Sequence, residues 1–147
     1  MADSKVSELT AATSVGGSDL LYLVQSNTSK KVTVANFLSN AANVTLSGNI
    51  NVGGTAQTLA SPGAISLTTP ITHLTADATG GTLTLNQGTT GQIKYLVMSA
   101  TSGGSYTLSA NIAGSGTITF DHAGDTAQLM FTNTKWYVVG GTASVTY

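Results

Sequence analysis

The sequence predicts a mainly β protein, and three observations carry that prediction. Apolar residues alternate with Thr, Ser and Asn in short runs such as "NVTLSGNINV", "GTLTL" and "GTITF", the period-two pattern of half-buried strands. Gly-rich turns separate these runs at short intervals, the texture of a sandwich or roll. Charged residues make up only 7% of the 147-residue chain, and the mean hydropathy is +0.19, so the chain is polar without the high charge that keeps a chain disordered. The expected architecture is a small N-terminal α+β module over residues 1–42, a short β segment over 43–63 and a C-terminal antiparallel β-sandwich or jelly-roll-like domain over 64–147.

In chain order, a "VGGSD" turn leads into the apolar run Leu20 to Val24, and the turn cluster "QSNTSKK" joins it to a second β-prone piece, which predicts a short hairpin. Thr33 is placed to cap a helix with Val34, Phe37, Leu38 and Ala41 on one face. Such a helix is too short to stand alone and must dock on something. The stretch "LSGNINVGGT", Leu46 to Thr55, alternates like a strand, yet Gly48, Gly53 and Gly54 weaken it, and its apolar row is too sparse to form a core. "AISLTTPITHL" alternates through Ile65, Leu67 and Ile71, with Pro70 marking an edge or a break. "IKYLVM" is apolar on both parities and reads as a strand covered on both faces. "YTLSANI" and "GTITF" follow, and "AQLMF" and "KWYVV" flank "TNT" as a closing hairpin. No fixed-period repeat is visible, which argues against a long solenoid.

Composition excludes several classes of function. The chain has no Cys, so disulfides, thiolate zinc sites and cysteine nucleophiles are ruled out. It has no Arg and a formal charge of -1, which removes the electrostatic footprint of a nucleic-acid binder. No apolar run approaches the length of a membrane span, and "MADSKVSE" lacks a signal-peptide pattern, so membrane insertion and Sec export are not expected.

Few residues suggest chemistry. Asp121, His122 and Asp125 in "DHAGD" offer metal-ligand or acid–base atoms, but Asp and Gly are also what a polar turn requires, and a lone His seldom suffices for a protein metal site. His73 shares a strand parity with Ile71 and reads as a strand-face or interface residue, although three copies around an axis would make an ion site. Asp77, Asp121 and Asp125 are the only carboxylates in the β region that a glycosidase could use, and all three look like turn residues. No catalytic residue, metal or cofactor is therefore expected. Tyr106, Trp136 and Tyr137 are candidate ligand contacts as an aromatic platform, while parity predicts that one of Trp136 and Tyr137 is core and the other surface.

"KVSELTAATSVGGSDLLYLVQSNTSKKVTVANFL", about a quarter of the chain, resembles an N-terminal module of tailed-phage virion proteins. "LSGNINVGGT" is similar to shaft pieces of trimeric phage fibres, and "GDTAQLMFTNTKWYVVGG" looks like the closing hairpin of phage surface modules. The resemblance implies a non-enzymatic homotrimer made in the host cytoplasm and located on the virion, at the capsid surface or the tail. It implies a capsid decoration protein, of head-fibre or cement type, docked on the major capsid protein or another virion protein through Leu9, Leu21, Leu23, Val32, Phe37 and Leu38. It further implies a trimer interface of Leu46, Ile50, Val52, Ile65 and Leu67, so that an apolar row insufficient in one chain becomes a core in three. The alternatives are a tail-fibre or tail-tip protein binding a host-surface glycan, and a small depolymerase acting at subunit boundaries.

Overall fold

A computed structural model describes residues 16, 18–34, 36, 52 and 54–147. The chain divides into two compact units, Met1–Ile50 and Asn51–Tyr147. The first contains an antiparallel hairpin of β1 (Leu20–Gln25) and β2 (Thr28–Thr33). Its two-residue turn, Ser26 and Asn27, has φ of 51° and 58°, the paired positive values that match the twist of a tight hairpin. Asp19 closes the preceding turn by accepting a hydrogen bond from Gly16 N at 2.6 Å. Thr33 Oγ1 accepts from Asn36 N at 3.2 Å, the expected capping interaction. The rest of the expected helix, including Phe37 and Leu38, lies outside the described residues, as do Leu9, Leu46 and Ile50.

The second unit is built from two sheets. The five-stranded sheet has the order β10 (Lys135–Gly141), β9 (Thr126–Thr132), β6 (Ile93–Thr101), β4 (Ile71–Ala76), β3 (Gln57–Leu59). The four-stranded sheet has the order β11 (Ser144–Thr146), β8 (Thr117–Phe120), β7 (Tyr106–Leu108), β5 (Gly81–Leu83). Their inner faces enclose one core, in which Leu74, Leu83, Leu96, Met98, Tyr106, Leu108, Ile118, Phe120, Leu129 and Trp136 are inaccessible to solvent.

The fold is mainly β with several sheets, but the expectation of an antiparallel sandwich needs correction. β3 pairs with β4, β4 with β6 and β5 with β7, all parallel. From β4 to β7 the chain coils, alternating between the sheets, so the crossover that a parallel pair requires is a strand in the opposite sheet, β5 for β4–β6 and β6 for β5–β7, while β3 reaches β4 through the bridge between Ala64 and Thr84. Only from β8 onward are the partners all antiparallel. Alternation in a sequence reports which face a side chain takes and carries no information about strand direction, which is why the coil was not foreseen. Its rungs are unequal, with Gln57 opposite Thr72, Ile71 opposite Tyr95 and Gly81 opposite Tyr106, so no fixed period appears in the sequence.

Two further corrections concern expected interfaces. β3 falls inside the segment expected to be a trimeric shaft, yet it is an edge strand of the five-stranded sheet, and Leu59 packs against the core. Ile65, assigned to a trimer interface, is only 3% exposed and belongs to the single-chain core, so it is not offered to another copy, while Leu67 is partly buried and packs against the same core. The reason is the coil: the bridge between Ala64 and Thr84 turns this segment inward against its own chain.

Candidate functional site

Strand alternation gives each sheet an outer face, and the two faces differ in chemistry. On the four-stranded sheet, Leu83, Leu108, Ile118 and Val145 point to the core, which turns Thr82, Thr107, Thr119 and Ser144 outward in a continuous cross-strand row, with Thr117 and Thr146 beside it. This face carries hydroxyls and no charge.

On the five-stranded sheet, Leu96, Met98, Ala127, Leu129, Phe131 and Trp136 point inward. Ile93, Met130 and Tyr137 consequently stand outward in one row, each paired with the next. They are 42%, 37% and 37% exposed, and Val139 at 51% extends the patch along β10. Beside the row lies a shallow cavity of about 260 Å³ bounded by Tyr95, Val97, Thr126, Gln128 and Gly141. Gly141, past the register slip between Val138 and Gly140, closes one side of it. Gln128 Nε2 donates weakly to the Tyr95 hydroxyl at 3.4 Å on the same side. His73 lies on this face as a half-buried strand residue, opposite Val97.

Two of the aromatics assigned to ligand contact are corrected by their burial. Tyr106 and Trp136 are both 0% exposed. Trp136 stacks edge-on against Phe131, with ring centroids 5.2 Å apart, and its Nε1–H donates to Asn86 O at 2.8 Å. Gly88 is the residue that makes room for it, since a Cβ there would meet the indole at 2.7 Å. The Tyr106 hydroxyl donates to Thr75 O at 3.4 Å, and burial, followed by the charge of Asp77, pushes its phenol above the ordinary value. Tyr137 alone of the three reaches solvent, which agrees with the parity argument. Of the expected docking residues, Leu21 is 40% exposed and Val32 half-buried, and Leu23 lies within β1. Val52 is 40% exposed.

Asp121, His122 and Asp125 do come together, with potential ligand atoms within 4.8 Å of one another. Their arrangement is that of a closed turn. Asp125 Oδ2 accepts from the Asp121 and His122 backbone N–H groups, both at 2.9 Å, and His122 Nδ1 lies 2.7 Å from Asp121 Oδ1 in solvent. Burial raises the Asp125 carboxyl, but the hydrogen bonds from His122 and Asp121 outweigh it and hold the group below the usual carboxylate value. Asp77 does similar work, its Oδ1 accepting from Thr79 N at 2.9 Å and Gly80 N at 3.0 Å. These carboxylates are spent on turn geometry. A divalent ion at "DHAGD" would have to compete with the backbone for Asp125.

Sequence reasoning missed Lys94. It is inaccessible to solvent, its Nζ donates to Thr69 O and lies 3.5 Å from Thr72 Oγ1, and desolvation lowers its pKa to about 8. Thr72 Oγ1 in turn donates to Gln57 Oε1 at 3.2 Å, which also accepts from Ser66 N at 2.8 Å, so a polar chain ties β3, β4 and β6 together. The signal was present in "IKYLVM", where Lys94 shares the parity of Leu96 and Met98.

No family model, curated protein or solved structure matches this chain.

Proposed function

We propose that the protein is a non-enzymatic structural component of a tailed-phage particle, a homotrimeric capsid decoration protein of head-fibre or cement type. The N-terminal unit attaches it and the β unit projects outward. The observation that carries this reading is the β1–β2 hairpin. A two-stranded hairpin is marginal in water, yet this one presents Leu20 and Leu21, one on each face by strand alternation, at 47% and 40% exposure, apolar area that gains by being covered. The Asn51–Tyr147 unit, by contrast, holds a core of its own. Three such hairpins on one trimer turn weak individual contacts into firm attachment through effective concentration. Use of Asp77, Asp121 and Asp125 in turn closure weighs against the depolymerase alternative. Burial of Tyr106 and Trp136 weighs against an aromatic glycan platform.

The test is mass spectrometry of gradient-purified phage particles from cells infected by the phage that encodes this chain. Co-sedimentation with the particles at a fixed ratio to the major capsid protein, and its loss on Leu21→Lys, is the expected result. A chain that stays at the top of the gradient overturns the proposal.

A further inference from the structure

We propose that Thr72 and Gln57 form a covalent ester cross-link between β4 and β3, in which the Thr72 hydroxyl displaces ammonia from the Gln57 carboxamide and Lys94 acts as the base. The proposal goes beyond the particle reading above and stands or falls independently of it.

The reacting pair is already aligned. Gln57 and Thr72 sit directly opposite each other in the parallel register of β3 and β4. Thr72 Oγ1 lies 3.2 Å from Gln57 Oε1, and the carboxamide carbon is one bond further. The carboxamide is held rather than free to rotate, because Nε2 donates to Ala64 O at 2.9 Å and Oε1 accepts from Ser66 N–H at 2.8 Å. That backbone N–H points at the oxygen on which negative charge develops when the carbon is attacked, as an oxyanion-hole donor does.

Lys94 is the base within reach. Its Nζ is 3.5 Å from Thr72 Oγ1, and both residues are inaccessible to solvent. Burial alone brings its pKa to about 8, with no charged group contributing, so the neutral amine is accessible in mild alkali. Once neutral, Nζ accepts the Thr72 O–H proton and leaves the oxygen to attack. The Oγ1–Cδ bond forms, the Cδ–Nε2 bond breaks, and the proton held by Lys94 leaves with the nitrogen as ammonia. Atoms and charge balance with no co-reactant. Exclusion of water from Thr72 then protects the ester from hydrolysis.

The position gives such a bond a use. β3 is three residues long and lies at the edge of its sheet, in a chain that has no Cys for a disulfide. A link from Gln57 to Thr72 fastens that edge and closes a loop, which restricts the unfolded chain as a disulfide would.

The experiment is intact-mass and tryptic tandem mass spectrometry of the full chain after incubation at about pH 9, with circular dichroism on each variant. Wild type is expected to be lighter than its sequence by one ammonia. Trypsin still cuts after Lys94, no backbone fragment separates between Gln57 and Thr72, and hydroxylamine under denaturing conditions reopens the link. Thr72→Ser keeps the hydroxyl and loses ammonia too, Thr72→Val keeps its full mass, and Lys94→Met forms the link at least tenfold more slowly. Should Lys94→Met not fold, the wild-type rate carries the same information, and it is expected to rise with pH and level off above about 8. A rate indifferent to both overturns the role of Lys94. Ammonia loss that persists in Thr72→Val, or a link that resists hydroxylamine and blocks cleavage at Lys94, overturns the ester. A wild-type chain at its full sequence mass overturns the inference outright.

Discussion

On one side of the β unit, Thr82, Thr107, Thr119 and Ser144 stand in a row across four strands; on the other, Ile93, Met130 and Tyr137 stand in a row across three. Both rows flank the same core and both obey the same alternation. Threonine satisfies β propensity and solvation together, since its branched Cβ fits the pleat while its hydroxyl bonds water. Ile, Met and Tyr satisfy the propensity and leave the solvation unmet. The difference shows that strand-forming tendency alone does not explain the second row, and that its residues suit a covered surface.

The sharpest way to test that distinction uses the two sides of one strand. Leu96→Ala, on the inner side of β6, empties a site with no solvent access and lowers unfolding stability by about 3–5 kcal/mol at every protein concentration. Ile93→Ser, on the outer side, costs under about 1 kcal/mol in dilute solution. In the proposed homotrimer, any contact made by this face adds a part of that cost that grows with protein concentration. Chemical denaturation at two protein concentrations separates the two. Equal behaviour of both variants would erase the contrast.

Lys94 sharpens the inner side. Its folded pKa of about 8 lies below the unfolded value of 10.5, so between these pH values the unfolded chain holds a proton that the folded chain has released. Raising the pH through this window therefore favours the folded state, by on the order of 3 kcal/mol in full. Tyr106 acts in the opposite sense above pH 10, because its raised phenol makes the unfolded state ionise first. Wild type is expected to gain stability from pH 8 toward pH 10, and Lys94→Met to lack that gain. Urea melts across the range read both.

Smaller effects belong to the turns. Asn133 and Thr134 join β9 to β10 with φ of 47° and 62°, and a β-branched residue at positive φ is strained. Thr134→Gly relieves this and raises stability by about 1 kcal/mol, seen as a higher thermal midpoint. Asp125→Ala removes the acceptor of two backbone N–H groups and costs about 1 kcal/mol at neutral pH. Because its folded pKa is depressed, that contribution is present above the ordinary carboxylate range and disappears as the pH falls through the folded value. The variant should therefore match wild type in acid.

The β character, the closing hairpin at "TNT" and the turn roles of Asp77, Asp121 and Asp125 were legible, because alternation and turn chemistry are local. The parallel coil was not, since pairing Gln57 with Thr72 or Gly81 with Tyr106 depends on which distant strands meet. "IKYLVM" reads as a strand covered on both faces, and only one face is covered: Leu96 and Met98 face the core, while Ile93, Tyr95 and Val97 face outward with Ile93 exposed. Lys94 was overlooked because five apolar neighbours masked one cation of the same parity as the core. The cavity could not have been anticipated, since it depends on Tyr95 and Val97 of β6 meeting Thr126 and Gln128 of β9 and Gly141 of β10.

The most direct test of the account is amide hydrogen exchange on the full chain at high and low protein concentration. The proposed homotrimer predicts that a contiguous subset of amides exchanges more slowly in the concentrated sample, while the rest exchange at the same rate in both. Equal exchange of every amide at the two concentrations would contradict it.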